Sequence, residues 1–176
     1  AYSSASFMVS VVVPVYNEEE TVPELLRRLR AAVARLGFDQ NEVLLISDGS
    51  TDGTNAQLLA AADGLFRPVF LSRNFGHQAA VSTGLQLSTG SVVAIIDGDL
   101  QDPPEVIADL VAALERGADV AFAIRAHRKE HLLKRACYSA FYRGLDWVAD
   151  IKIPLDTGDF CCFTGEVRDA ILRLPE

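Results

Sequence analysis

Asp97 and Asp99 stand at the end of an apolar run with only Gly98 between them. Side chains at i and i+2 of an extended segment share a face, so both carboxylates can approach one cation. A hard divalent ion such as Mg²⁺ is commonly held by one or two carboxylates and fills its shell with water and substrate phosphates. The pair therefore reads as a metal site that expects an anionic ligand. The plainer alternative is a turn capping the helix begun at Pro103-Pro104, and Asp102, with Glu105 three residues on, does fit a capping box. A second cluster runs Ser47-Asp48-Gly49-Ser50-Thr51-Asp52-Gly53-Thr54. Asp48 can accept two parallel hydrogen bonds from a base edge, which suits uracil or guanine better than the amino group of adenine. Gly49 and Gly53 let the backbone turn beneath such a ligand.

These residues need a scaffold that brings strand ends together. Met8 to Val15, Glu42 to Ser47, Pro68 to Ser72, Ser91 to Ile96 and Asp119 to Ile124 are short β-branched runs separated by segments of helical spacing. That alternation predicts an α/β fold with a mostly parallel sheet flanked by helices, a Rossmann-like nucleotide-binding core. The first helix carries Val22, Leu25, Leu26, Leu29, Val33 and Leu36 on one stripe, with Thr21 and Glu24 as a capping box and Gly37 as its stop. Further helices are expected over Thr54–Ala62, Gly76–Leu87, Pro104–Arg116 and Leu132–Val148. A loop over Ile151–Gly158, a short strand over Asp159–Phe163 and a last helix over Glu166–Leu174 follow. In an open α/β sheet, ligands sit beyond the carboxyl ends of the strands. The polar residues gather there: Tyr16-Asn17-Glu18, the Asp48 turn, Arg73-Asn74-Phe75-Gly76 and the aspartate pair.

The chain's 176 residues, 49% of them apolar, suit a single domain over 1–176. A net charge of −8 argues against a nucleic-acid surface, and against that acidity Arg125, Arg128, Lys129, Lys134 and Arg135 form a local basic cluster. Three cysteines without zinc spacing fit a reducing compartment. No apolar run approaches the ~20 residues of a membrane span, and the N-terminus lacks signal-peptide character, so the chain reads as soluble and cytoplasmic.

Taken together, Val13-Pro14-Val15-Tyr16-Asn17-Glu18, Asp48-Gly49-Ser50-Thr51-Asp52-Gly53-Thr54 and Asp97-Gly98-Asp99 resemble the motifs of the inverting nucleotide-sugar glycosyltransferases of family 2, which have the GT-A fold. A narrower resemblance, to the polyprenyl-phosphate branch, lies in Leu71-Ser72-Arg73-Asn74-Phe75-Gly76-His77, Asp99-Leu100-Gln101-Asp102-Pro103-Pro104-Glu105 and Asp156-Thr157-Gly158-Asp159-Phe160. The resemblance implies that Pro14, Tyr16 and Glu18 line the nucleoside, that Asp48 holds the base, and that Asp97, Asp99 and Gln101 surround Mg²⁺ or Mn²⁺. It also puts Asp97 at the nucleotide, and Asp99 with Asp159 at the chemistry, Asp159 near the sugar. Arg125 and Arg128 would anchor the acceptor's phosphate, as guanidinium forks match phosphate oxygens. The implied partners are a UDP- or GDP-linked sugar and a polyprenyl phosphate at the cytoplasmic face of a membrane. Two departures stand out: Ser47 where a second acidic residue is common, and Cys161 where the branch has an arginine. Members of the branch continue past a segment like Leu172–Glu176 into membrane helices, so a catalytic-domain fragment or an anchorless member is expected. A family 2 enzyme acting on a soluble glycan and a weakly active nucleotide-sugar-binding module are the alternatives. A dinucleotide fold is excluded, since no G-x-G-x-x-G follows a strand.

Overall fold

The computed structural model describes residues 8–38, 40–124 and 157–174. Backbone proximity groups Ala1–Phe122 with Asp159–Glu176 in one compact unit and Ala123–Gly158 in a second, which lies almost wholly outside the described residues. The strands are β1 (Val9–Val15), β2 (Glu42–Ser47), β3 (Phe66–Phe70), β4 (Val92–Ile95), β5 (Val120–Ile124) and β6 (Thr157–Thr164). The helices are α1 (Val22–Ala34), α2 (Thr54–Ala60), α3 (His77–Leu87), α4 (Ile107–Glu115) and α5 (Gly165–Ile171), with a 3₁₀ turn at Pro104–Val106.

The sheet runs β3-β2-β1-β4-β6-β5. Its centre follows from sequence: every residue of β1 is buried, as a parallel strand covered on both faces requires. It pairs in parallel with β2 from Ser10↔Glu42 to Val15↔Ser47 and with β4 from Val9↔Val92 to Val12↔Ile95. Helix α3 closes one core cluster, setting Ala80 and Leu85 against Val12, Leu44, Ile46, Val93, Ile95 and Phe163. A Cβ on Gly84 would come within 2.2 Å of Val12 Cγ1, so glycine permits this close helix-to-strand approach.

The mostly parallel sheet is as expected, with informative deviations. β3 sits two residues earlier than predicted and holds Pro68 in its interior, paired with Leu45. An edge strand tolerates a residue that cannot donate to the ladder. β6 is longer than predicted, taking in Thr157 and Gly158 from the expected loop, and runs antiparallel to β4 from Val92↔Thr164 to Ile95↔Cys161. The Thr21–Glu24 capping box does not form: Thr21 is already helical (φ −89°, ψ −33°), and its side chain caps nothing. The Glu18 carbonyl instead accepts from the N–H groups of Thr21 and Val22 (3.0 and 2.9 Å), and Glu24 pairs with Arg27. Glu105 likewise does not reach back as a capping residue but forks onto Arg28 at 2.9 and 2.6 Å, tying the 3₁₀ turn to α1. A side-chain cap does form at α5, where Thr164 accepts from the Val167 N–H.

The expected helix over Leu132–Val148 lies outside the described residues. Neither Cys161 nor Cys162 is in a disulfide, and burial pushes the Cys162 thiol up to about 12, which makes it a small apolar side chain in practice. Among the described residues no helix is long and apolar enough to cross a membrane.

Candidate active site

The carboxyl ends of β1, β2 and β4 open on a cavity of ≈ 310 Å³ lined by Pro14, Val15, Tyr16, Glu18, Asp48, Asn74, Gly76, His77, Ala80, Asp97, Gly98 and Asp99. Residues from all four strand ends singled out from sequence thus share one space, all within the first unit. Asn74 and Gly76 come from the expected strand end Arg73–Gly76, while His77 was given no role from sequence beyond its place in the Leu71–His77 segment.

Two loops are laced together beneath this cavity. Asn17, held at φ 54°, donates its N–H to the Ser50 hydroxyl (3.1 Å) and accepts from the Thr51 N–H at its side-chain oxygen (2.8 Å). The Glu18 N–H donates to the Thr54 hydroxyl at 2.8 Å, and a Glu19 carboxylate oxygen accepts from the Gly53 N–H at 2.6 Å. Asparagine tolerates the left-handed conformation better than most residues. The lacing leaves Tyr16 at the rim, 45% exposed.

Asp48 lines the cavity and also ties its turn to a neighbouring loop. Its side chain is buried, one carboxylate oxygen accepts from the Phe75 N–H at 2.8 Å, and the other accepts from the Gly76 N–H at 2.9 Å. Each oxygen thus accepts one main-chain N–H and keeps a second lone pair.

The aspartate pair stays open to the cavity. Gly98 packs the turn against β1, since a Cβ there would lie 2.4 Å from Val15 Cγ1 and 3.0 Å from the Pro14 carbonyl oxygen. Leu100 takes a left-handed φ of 60°, and an Asp99 oxygen accepts from the Gln101 N–H at 2.9 Å. Gln101 is exposed and is not part of the lining, and its backbone N–H is the group bonded to Asp99. His77 Nε2 lies 3.7 Å from Asp97 Oδ1. No group of three or more His, Cys, Asp or Glu converges among the described residues. Two carboxylates at one cavity wall fit a hard, partly hydrated divalent ion better than a fully protein-ligated zinc. Below the turn, the Arg28 guanidinium holds the Glu105 carboxyl down to about 2.

Asp159 lies on β6, where only its backbone is described, and Arg125 and Arg128 fall outside the described residues.

The profile of glycosyl transferase family 2 matches residues 10–164. An undecaprenyl-phosphate 4-deoxy-4-formamido-L-arabinose transferase of Klebsiella pneumoniae is 44% identical over 175 residues, covering 96% of this chain and 52% of that protein. A bactoprenol glucosyl transferase of Shigella phage SfX is 39% identical over 171 residues, covering 96% of this chain and 56% of its own. The chain thus spans about half the length of these curated relatives. A mannosyltransferase from Pyrobaculum calidifontis, solved with GDP-Man and Mn²⁺, superposes with a TM-score of 0.68 at 23% identity, covering 98% of this chain and 48% of that one. At that identity the superposition establishes the GT-A fold.

Proposed function

The chain belongs to glycosyl transferase family 2, and from that premise we propose that it transfers a sugar, with inversion, from a UDP- or GDP-linked donor to a polyprenyl phosphate. The observation that carries the reading is the convergence of Pro14, Tyr16, Glu18, Asp97 and Asp99 on one cavity at the carboxyl ends of β1 and β4. Pro14, Tyr16 and Glu18 form the nucleoside wall. Asp97 and Asp99 would hold Mg²⁺ or Mn²⁺. When bound, the ion supplies positive charge against which a nucleoside diphosphate can leave. Support for a lipid-phosphate acceptor comes from the two curated relatives, whose names specify undecaprenyl phosphate and bactoprenol.

A lipid phosphate is ionised at neutral pH, so no side chain has to deprotonate the attacking oxygen. Asp159 is assigned the orienting of acceptor or sugar hydroxyls, and Arg125 with Arg128 the acceptor's phosphate. These three roles rest on sequence. Such an acceptor puts the working site at the cytoplasmic face of a membrane.

The test is transfer of radiolabelled sugar from UDP- and GDP-sugars to short-chain polyprenyl phosphate, with Mg²⁺ or Mn²⁺ and with chelator. Ion-dependent transfer to polyprenyl phosphate is expected, together with its loss in Arg125→Ala combined with Arg128→Ala. A soluble saccharide proving the better acceptor would replace the lipid, and turnover indifferent to chelator would remove the metal.

A further inference from the structure

We infer that Arg28 and Glu105 are positioning residues, whose ion pair holds the turn 97–105 on helix α1 and so sets Asp97 and Asp99 at a fixed distance from the nucleoside wall. This rests on the donor reading of the cavity. Arg28 donates from Nε and Nη2 to the two Glu105 carboxylate oxygens, at 2.9 and 2.6 Å, across 77 residues of sequence. Two parallel charge-assisted bonds between planar groups fix an angle as well as a distance. Neither residue lines the cavity, so the pair acts through the turn and not on a ligand.

Helix α1 reaches both walls of the cavity. Its first turn hangs from the Glu18 carbonyl, which accepts from the Thr21 and Val22 N–H groups, and Glu18 itself lines the cavity. One turn on, the buried Leu25 packs at Gly98, its Cδ2 3.5 Å from where a Cβ on that glycine would stand. Arg28 follows three residues later on the same side of the helix and takes Glu105. One helix thus touches the nucleoside wall at its start, the middle of the aspartate pair at Leu25 and the far end of the turn at Arg28. The chain between Asp99 and Glu105 has little slack. An Asp99 oxygen accepts from the Gln101 N–H, Asp102 and Pro104 are buried, and the two prolines 103 and 104 each have a fixed φ. A shift at Glu105 is therefore carried back to Asp99 and not absorbed on the way.

The experiment compares the parent chain with Glu105→Gln, Arg28→Ala and the double variant, by calorimetry with UDP and GDP in Mn²⁺ and in chelator. In each single variant the affinity in chelator should stay within about twofold of the parent's, while the affinity in Mn²⁺ should fall by about tenfold, the lower end of what loss of a group supporting a metal ligand costs. The double variant should lose about the same tenfold, because either change removes the whole pair. Unchanged affinity in Mn²⁺ overturns the proposal. So does an equal loss with and without the ion, which is the mark of a general loosening of the fold, and so does a double variant whose loss is the product of the single ones. Should Arg28→Ala not fold, Arg28→Lys keeps the charge without the fork, and parent-like affinity in it overturns the proposal as well. Failure of the underlying reading shows in the parent instead: a parent that binds neither nucleotide, or binds them equally with ion and chelator, removes the donor or the metal reading and this inference with it.

Discussion

Two turns of this molecule begin alike and end differently. Asp48-Gly49 follows β2 and Asp97-Gly98 follows β4, each an aspartate at a strand's carboxyl end with a glycine directly after it. After β2 the carboxylate, buried at the cavity wall, accepts from main-chain donors of another loop. After β4 the aspartates line the cavity, and the recorded main-chain bond to Asp99 comes from its own turn, at Gln101. The same dipeptide ties two loops together in one place and is bonded within its own turn in the other. The deciding factor is which N–H groups a neighbouring element brings within reach.

The glycines should separate the two turns most sharply. Gly49→Ala combines a left-handed backbone with overlap against the Arg73 and Asn74 main chain, which cannot give way. A loss of at least about 3 kcal/mol is expected. Gly98→Ala overlaps first with the side chain of Val15, and its cost should stay at about 1–3 kcal/mol. Urea unfolding of both variants measures the difference, and equal losses would mean the two turns are braced alike.

Next in size is Asp99→Asn. Removing a group that supports a metal ligand typically costs 10- to 100-fold in affinity, so loss of a direct ligand should weaken Mn²⁺-dependent nucleotide binding by about a hundredfold or more. Stability should change little, because the carboxylate faces the cavity. Titration calorimetry with and without chelator checks this, and unchanged nucleotide affinity would make the β4 turn a second brace.

The smallest effect concerns the support below that turn. The Arg28 guanidinium holds Glu105 down to about 2 from an ordinary 4.5. A folded-state value below the unfolded one means the stabilisation is complete above about pH 4.5 and is lost as pH falls towards 2. The pair is partly exposed, so Glu105→Gln should cost less than about 1 kcal/mol at neutral pH. Between pH 4.5 and 2 the variant should show a flatter stability curve than the parent. A parent curve already flat across that window would show that the pair does not hold the turn in solution.

How much of this could be read from sequence depends on the range of the interactions involved. β1, β2 and β4 were legible because a doubly covered strand writes itself as an unbroken apolar run, and the aspartate pair because its geometry is local. The partners of Asp48 were not, since its donors stand 27 and 28 residues away and main-chain N–H groups leave no mark in side-chain identity. The direction of β6 was hidden for a related reason, as Asp159–Phe163 reads the same in either orientation. The capping box at Thr21 failed against a competing backbone turn: the Glu18 carbonyl had already drawn in the Thr21 N–H that Glu24 would serve.

Pro68 has a consequence for how copies of this protein meet. The Leu71 N–H donates to Ser47, and the Leu65 carbonyl accepts from Val43, so odd-numbered positions along β3 bond inward to β2. Pro68, at the middle of the strand, therefore turns its nitrogen outward, where among the described residues no further strand lies. A second chain attempting to extend the sheet would find no donor at the centre of the edge. A single imino acid, neutral to the ladder inside, thus acts as a stop against runaway sheet growth between molecules.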